Sequence, residues 1–275
     1  MKIAVAQIAC SLGDVEANVR KMRDFSSRAK EAGAGLVVFP EMADTGYSMP
    51  VIQKHAAAWT EGAVPRLQET AKELGIGIIS GVSEREGGSI YNSQVAIDLS
   101  GQIVAKYRKI HLFGPPPIEE HKYFSPGAEL VSFSIGDLRL GLTICYDLRF
   151  PEVYRALACG QEVNVFIISS AWPFPRAEHQ RVLALARAIE NQSYVVLSNR
   201  VGKDDGVSAC GGSAIIDPYG VTVAAASADR EELVVAEVSN GVIRSVRERM
   251  PVFEDRREDV YGKRGSETRK KRLSS

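Results

Sequence analysis

The chain has 275 residues, of which 45% are hydrophobic and 25% are charged. These fractions are close to the average for globular proteins, so they argue against a collagen, a coiled coil or a disordered chain. The 34 basic and 34 acidic residues give a formal net charge of zero. This balance argues against a general role in binding nucleic acid or a membrane surface.

The charge is not spread evenly along the chain. Residues 263–275 contain six basic residues and one glutamate, so the preceding residues carry the compensating negative charge. This stretch also lacks any apolar periodicity, which is typical of a disordered segment. We therefore divide the chain into one folded domain over residues 1–262 and a basic, disordered tail over residues 263–275.

The first residues do not resemble a targeting segment, and no stretch approaches the ~20 apolar residues that a membrane-spanning helix needs. The four cysteines form no C-x-x-C pair, and their spacing fits no zinc site. We therefore expect a cytoplasmic protein with reduced thiols, without a metal ion and without a cofactor.

The first third of the chain alternates strands and helices. Residues 2–8 predict a short apolar strand, and Asp14 can cap a helix whose apolar residues recur at helical spacing. Residues 35–39 form a continuous apolar run that ends at Pro40, which is typical of a strand buried on both faces. A second helix over 65–74 and a second buried strand over 75–82 follow.

The rest of the chain adds hairpins to this alternation. Three strand pairs are each joined by a short turn, and the remaining segments are two helices and three strands. The predicted hairpins are 92–98 with 102–107, 131–135 with 138–144, and 213–217 with 221–226; the helices are 152–159 and 177–190; the strands are 163–169, 194–199 and 232–238. The chain contains both buried strands and hairpin strands, which favours mixed β-sheets covered by helices. The predicted fold class is therefore α/β, a four-layer α-β-β-α sandwich with two mixed β-sheets. A doubly wound α/β fold is the alternative.

Two of the loops that end predicted strands carry polar groups suited to acid–base chemistry. Glu41 directly follows the buried strand 35–39, where partial desolvation would raise its pKa and make it a candidate general base. Lys109 lies just after the strand 102–107 and is a candidate electrophile. A long loop follows Lys109, and long ordered loops are uncommon unless they are functional.

A third loop carries a candidate nucleophile. Cys145 lies between an apolar strand and a helix, an elbow that exposes a side chain to substrate and where helix N–H groups favour the thiolate. A histidine is the usual partner of an activated thiol, and His111 and His179 remain possible. The positions of the polar residues favour a Cys–Glu–Lys combination instead.

Six sequence blocks together resemble the nitrilase (carbon–nitrogen hydrolase) superfamily. They are Phe-Pro-Glu at 39–41, Tyr-Arg-Lys-Ile-His-Leu-Phe at 107–113, Glu-x-x-x-Phe-x-Pro-Gly at 120–127, Gly-Leu-Thr-Ile-Cys-Tyr-Asp-Leu-Arg-Phe-Pro-Glu at 141–152, Arg-Ala-Ile-Glu-Asn-Gln at 187–192 and Asn-Arg-Val-Gly at 199–202. One block alone would be weak support, whereas all six in this order are specific. The superfamily's α-β-β-α sandwich agrees with the predicted layers.

The resemblance implies the catalytic residues and their roles. Glu41, Lys109 and Cys145 are then the catalytic triad, and Glu120 is a fourth, supporting carboxylate. The implied reaction is attack by the Cys145 thiolate on a carbon bonded to nitrogen. Lys109 and the backbone N–H of Tyr146 would stabilise the oxyanion.

The residues that follow the cysteine indicate a branch of the superfamily. Cys-Tyr-Asp-Leu-Arg at 145–149 resembles the amidase branch that includes omega-amidases, which release ammonia from amides of small dicarboxylates. The alternatives are an N-carbamoyl amino acid or amine hydrolase, a nitrilase and, as a third class, a non-catalytic binding protein. Arg149 would bind a substrate carboxylate or form a structural ion pair with Asp147, Glu152 or Glu190.

Further expectations concern the pocket and the assembly. Tyr47, Phe113 and Trp172 are candidate substrate-binding residues together with Arg149. The partner is a small-molecule amide, with no role for nucleic acid or a membrane. The resemblance implies a homodimer or a larger homo-oligomer, and residues 152–159 and 242–253 are the candidate interface.

Overall fold

The computed structural model describes residues 1–261, so the predicted tail 263–275 lies outside the described residues. Its strands are β1 Lys2–Gln7, β2 Leu36–Val38, β3 Gly77–Glu86, β4 Ser89–Ile97, β5 Ile103–Arg108, β6 Ser132–Ile135, β7 Leu138–Ile144, β8 Val165–Ser170, β9 Tyr194–Asn199, β10 Lys203–Asp204, β11 Val207–Ser208, β12 Ala214–Ile216, β13 Thr222–Ala225 and β14 Glu232–Glu237. The α-helices are α1 Val15–Glu31, α2 Met49–His55, α3 Ala63–Leu74, α4 Pro151–Gly160, α5 Ala177–Asn191, α6 Asn240–Arg249 and α7 Glu258–Tyr261. Short 3-10 turns cover Glu120–Lys122 and Cys145–Arg149.

The strands form two six-stranded sheets and a separate small hairpin of β10 and β11. The first sheet has the order β14-β1-β2-β3-β4-β5, and the second has the order β13-β12-β9-β8-β7-β6. In each sheet three central strands are parallel and the outer strands pair antiparallel. The prediction of two mixed sheets is therefore confirmed, and the doubly wound alternative is wrong.

The first sheet is apolar on both faces because each face is covered by another layer. In β1, Ile3 and Val5 belong to the core between the sheets, whereas Ala4 and Ala6 belong to the core under α1 and α3. This alternation follows from the two-residue period of a strand. Asp14 caps α1 as predicted, since its carboxylate accepts a hydrogen bond from the N–H of Ala17 at 2.9 Å.

The second sheet is covered by α4 and α5, which completes the four layers. The core between the sheets extends through the second sheet to side chains of these helices, such as Leu157 and Ala188. Polar contacts also join the two sheets: Gln94 of β4 donates to the Ser169 hydroxyl at 2.7 Å, and that hydroxyl donates to the carbonyl of Phe39. These contacts set the spacing of the sheets at the edge where the loops after β2, β5 and β7 meet.

The structure differs from the sequence-based elements in a few segments. β3 is longer than predicted and pairs with β4 in a hairpin, and the helices α2 and α6 were not predicted. The outer end of β3 was missed because it reads as a charged loop, Ser-Glu-Arg-Glu at 83–86. There Glu84 is buried because Arg108 and Ser93 supply its hydrogen bonds.

Among the helices of residues 1–261, none combines the length and the apolar character needed to cross a bilayer.

At Gly81, the main chain of β3 lies in close contact with the loop that carries Glu41. Its N–H donates to the carbonyl of Pro40, and its carbonyl accepts from Ala43, both at 3.0 Å. A Cβ atom at this position would lie 2.5 Å from the Cα of Glu41 and 2.6 Å from the Pro40 oxygen. Only glycine therefore lets the loop lie this close to the strand.

Gly81→Ala should lower the free energy of unfolding by about 1–3 kcal/mol, because the methyl group forces the Glu41 loop off β3. Urea unfolding measures this change. The control is Gly88→Ala in the β3–β4 turn, where a Cβ meets nothing within 4 Å, and its effect should stay within about 0.5 kcal/mol. Equal stability of the two variants would contradict the close contact.

Candidate active site

The structure brings the three predicted loops together at one edge of the two sheets. Glu41 follows β2, Lys109 follows β5 and Cys145 follows β7. The strands β2, β3 and β5 run in the same direction, because β5 pairs antiparallel with β4 and β4 pairs antiparallel with β3. Loops that end such strands meet at the same edge of a sheet, where α/β folds place their sites.

Lys109 is buried between two carboxylates. Its Nζ lies 2.8 Å from Glu41 Oε1 and 2.8 Å from Glu120 Oε2, and all three side chains are at most 1% exposed. A buried ammonium is costly unless it is paired and hydrogen-bonded. Glu120 therefore matters for keeping Lys109 charged, whatever further role it has.

The surroundings raise the pKa values of both Glu41 and Lys109. Burial raises the pKa of Glu41, and Lys109 opposes this effect without cancelling it. Burial alone would lower the pKa of Lys109, but Glu120 and Glu41 outweigh burial and raise it. Glu41 is therefore a carboxylate that takes up a proton more readily than an exposed glutamate, beside a permanently charged lysine.

Two further side chains complete the cluster. The Asn92 amide donates to Glu41 Oε1 at 2.6 Å and to Glu120 Oε1 at 2.9 Å, and the Tyr47 hydroxyl donates to Glu120 Oε1 at 2.6 Å. Burial, with Glu120 beside it, raises the pKa of Tyr47, so the hydroxyl keeps its proton. Sequence reasoning missed Asn92, although an Asn-Ser-Gln run inside an otherwise apolar strand was a usable signal.

Cys145 lies at a sharp turn between β7 and the 3-10 turn Cys145–Arg149. Its φ of 41° is in the left-handed region, which a non-glycine residue rarely adopts and which is common at active sites. Asp147 holds this turn: its carboxylate accepts from the N–H of Ile144 at 2.9 Å and from the Tyr107 hydroxyl at 2.7 Å. The elbow is thus tied to the end of β5, where Lys109 begins the next loop.

Arg187 supports the same elbow from α5. It donates through Nε and Nη2 to the main-chain oxygen of Leu148, at 3.1 and 2.8 Å, and through Nη1 to Glu190. The side chain is 4% exposed. This contact explains why the block at 187–192 belongs with the elbow in the sequence pattern.

The expectation that helix N–H groups favour a Cys145 thiolate is wrong. Burial, followed by the nearby Glu41, raises the pKa of the thiol, and Lys109, Ser170 and the N–H of Ala171 only partly offset this. The thiol is therefore neutral at rest. Such a cysteine needs a base beside it, and Glu41 is in place to serve.

The two histidines have other contacts. His111 binds Asp147 through Nδ1 at 2.9 Å and stacks on Phe150, with ring centroids 3.6 Å apart. His179 is exposed and lies 3.4 Å from Arg149. Within residues 1–261 neither ring is hydrogen-bonded to Cys145, so the Cys–Glu–Lys combination is the one that the geometry favours.

A cavity of about 320 Å³ opens onto Cys145. It is lined by all four predicted substrate-binding residues and by Tyr146, one of the two oxyanion candidates; Lys109, the other, is not part of its lining. The full lining is Tyr47, Phe113, Ile118, Cys145, Tyr146, Arg149, Ala171, Trp172, Pro173 and Arg176. Its mainly apolar wall with a few polar groups is typical of sites that bind small molecules. A neighbouring cavity of about 520 Å³ shares Tyr47, Ile118 and Ala171 but does not reach the cysteine.

Arg149 lies over aromatic rings and makes none of the ion pairs considered for it. Its guanidinium carbon is 4.6 Å from the centre of the Trp172 ring and 6.0 Å from that of Tyr146. Among the described residues, Asp147 pairs with His111, and Glu190 pairs with Arg187. The charge of Arg149 is thus left for the cavity.

The segment after β8 forms the wall opposite the elbow. The N–H of Ala171 donates to Glu41 Oε2 at 2.8 Å, and that of Trp172 donates to Asn199 Oδ1 at 2.7 Å. The indole of Trp172 donates to the main-chain oxygen of Arg176 at 2.9 Å. These contacts fix the positions of the Glu41 carboxylate and of the Trp172 side chain.

No group of three or more histidine, cysteine, aspartate or glutamate side chains suited to a metal ion occurs in the described part of the chain, residues 1–261.

The hydrogen bond from Asn92 stabilises the ionised form of Glu41 and lowers its pKa. Asn92→Ala removes this bond and should therefore raise the pKa of Glu41. Alkylation of Cys145 by iodoacetamide depends on Glu41 as base, so its rate should fall on acidification through a midpoint above 4.5, the ordinary value for a glutamate. In the variant this midpoint should move upward by about one pH unit. Rates measured against pH by mass spectrometry test this.

The control for this prediction is Asn164→Ala. Asn164 is also buried, but its side chain accepts from the N–H of Arg139, away from the cluster. An unchanged midpoint in Asn92→Ala would show that Asn92 does not tune Glu41.

Comparison with known proteins supports one family. The model of the carbon-nitrogen hydrolase family matches residues 2–248. A 2-oxoglutaramate amidase of Bacillus subtilis is 37% identical over 260 residues, covering 94% of this chain and 98% of the relative. A nitrilase of Pyrococcus abyssi is 34% identical over 270 residues, covering 95% and 99%.

A solved structure agrees with the fold. The amidase from Nesterenkonia sp. AN1, as a single mutant, superimposes with a TM-score of 0.84 at 27% identity, covering 95% of both chains. That structure is described as showing covalent addition of the acetamide moiety of fluoroacetamide at the active-site cysteine. With a family model that covers most of its length, this chain belongs to the carbon-nitrogen hydrolase family.

Proposed function

We propose that the protein is a cysteine-dependent amidase that hydrolyses a small, non-peptide amide to a carboxylate and ammonia through a thioester. The observation that carries this proposal is the Cys145 elbow, which opens into a cavity beside the buried Lys109 and Glu41. An amide is a poor electrophile, and a covalent intermediate divides one difficult step into two easier ones.

The first half of the reaction transfers the acyl group to sulfur. Glu41 takes the proton of the Cys145 thiol, and the sulfur attacks the amide carbon to form a tetrahedral intermediate. Lys109 and the N–H of Tyr146 stabilise the negative oxygen, and one donor of this kind typically contributes about 3–4 kcal/mol. Glu41 then gives its proton to the nitrogen, ammonia leaves, and a thioester remains.

The second half releases the acid. Glu41 takes a proton from a water molecule, the resulting hydroxide attacks the thioester carbon, and the thiolate leaves and regains the proton. Glu41 thus acts twice as base and twice as acid, which requires a pKa closer to neutrality than that of an exposed carboxylate. The buried position of Glu41 supports this, and Glu120 orients Lys109.

The substrate that we propose is an omega-amide of a small dicarboxylate. The name of the Bacillus subtilis relative supports this class, as does Arg149, which lines the cavity and has no ion pair among residues 1–261. An N-carbamoyl amino acid or amine hydrolase is the second candidate on the same site. A nitrilase is the third, and the Pyrococcus abyssi relative carries that name.

Other parts of the proposal concern the protein as a whole. We infer one catalytic domain over residues 1–262, a cytoplasmic location and a homodimer or larger homo-oligomer, with the helix at 152–159 and the segment 242–253 as the interface. A binding protein without catalysis fits poorly, because a buried lysine between two carboxylates beside a neutral thiol is costly to keep without a chemical use.

Cys145→Ala should lower the rate of ammonia release by at least about 10³-fold while the protein stays folded, because no other group can form the thioester. Coupled ammonia detection and circular dichroism measure this, and mass spectrometry of the wild type should show the acyl adduct on Cys145. The control is Cys159→Ala, at an exposed thiol on α4. Substantial activity in Cys145→Ala would overturn the proposed mechanism.

A substrate panel should separate the candidate functions. We expect kcat/KM for glutaramate to exceed that for glutaramide, the neutral diamide of equal length, by about tenfold or more, because Arg149 favours the carboxylate. Release of carbon dioxide with ammonia from an N-carbamoyl amino acid would favour the second candidate. Ammonia from a nitrile would favour the third.

A further inference from the structure

We propose that Arg176 acts with Arg149 as a two-guanidinium clamp that binds the carboxylate of the substrate, so that Arg176 is a second specificity-determining residue. This inference rests on the proposed amidase function and refines its substrate class. It concerns the residue that directly precedes α5.

The two guanidiniums reach the same cavity from different elements. Arg149 ends the 3-10 turn that begins at Cys145, and Arg176 precedes α5, yet both line the cavity that opens onto the thiol. Arg149 lies over Trp172, and the guanidinium carbon of Arg176 lies 5.5 Å from the centre of the Phe113 ring. Aromatic faces thus hold both cations at the wall without neutralising them.

Neither charge is balanced within the described part of the chain. The ion pairs found there include neither Arg149 nor Arg176, and the cavity wall contains no carboxylate. Arg200 in the neighbouring cavity is different, because it is paired with Asp204. Partial burial, together with the charge of Arg176, lowers the pKa of Arg149, which reflects the cost of two like charges in one place.

An anion would relieve this repulsion. A carboxylate offers about four lone-pair directions, so one guanidinium can donate two parallel N–H bonds to it while the second donates to a remaining lone pair. The apolar side chains of Ile118 and Phe113 also line the cavity and suit a short methylene chain. The structure therefore favours a short monoamide with its amide at Cys145 and its carboxylate at Arg149 and Arg176.

The main chain of Arg176 has a structural role that a substitution preserves. Its carbonyl accepts the indole hydrogen bond of Trp172, so Arg176→Gln removes the charge and keeps this contact. Arg181→Gln is the matched control. Arg181 is on the same helix, its side chain is 62% exposed, and it pairs with Glu178 away from the cavity.

The test is equilibrium binding, measured by calorimetry in the Cys145→Ala background so that nothing is turned over. Arg176→Gln should weaken the binding of glutaramate by about 10- to 100-fold and that of glutaramide far less. Arg149→Gln should do the same, and the double variant should lose less than the product of the two single losses, because both bind one carboxylate. Arg181→Gln should leave both affinities unchanged.

Each outcome bears on either the clamp or the chemistry. Equal losses for glutaramate and glutaramide in Arg176→Gln, or no loss, would overturn the clamp even if the wild type hydrolyses amides. Undetectable binding of glutaramate to Cys145→Ala would overturn it as well. If the charge-dependent binding is found but the wild type releases no ammonia from any amide, the clamp stands and the proposed function fails.

Discussion

The buried ion cluster of Lys109, Glu41 and Glu120 is the interaction on which the rest of the site depends. A desolvated ammonium costs several kcal/mol unless carboxylates surround it, and the three side chains reach one point from two connections, the one after β2 and the one between β5 and β6. The stacking of the sheets, the Gly81 contact and the Asn92 hydrogen bonds all position a member of this cluster. Removing one carboxylate would therefore leave a buried charge without full compensation.

The raised pKa of Cys145 bears on how this cluster would work. A thiol that is neutral at rest is a weak nucleophile until a base accepts its proton, and in the proposed mechanism that base is Glu41. The charges of the site are also separated in space. Glu41 and Glu120 pair with Lys109 and do not line the cavity, whereas Arg149 and Arg176 line it and form no ion pair among residues 1–261.

Sequence reasoning was most successful where a local pattern has one physical meaning. The Asp14 cap, the hairpin turns and the apolar runs of β1, β2 and β9 were read correctly, and the loops after β2, β5 and β7 were identified as the positions of polar groups. It failed where the meaning depends on a distant residue. Glu84 reads as a surface charge but is buried against Arg108, and Asn92 reads as an ordinary strand residue but joins two carboxylates.

The sequence by itself therefore determined the layers and the candidates Glu41, Lys109 and Cys145, because periodicity and loop positions are local properties of the chain. The resemblance of its motifs to a known family added the family and Glu120. Only the tertiary structure decided in which direction the pKa values of Glu41, Lys109 and Cys145 move and which arginines lack an ion pair among residues 1–261. Burial, hydrogen bonding and charge pairing depend on residues that are far apart in sequence, such as Arg149 and Arg176 or Glu41 and Ala171. Those contacts exist only once the two sheets have packed against each other.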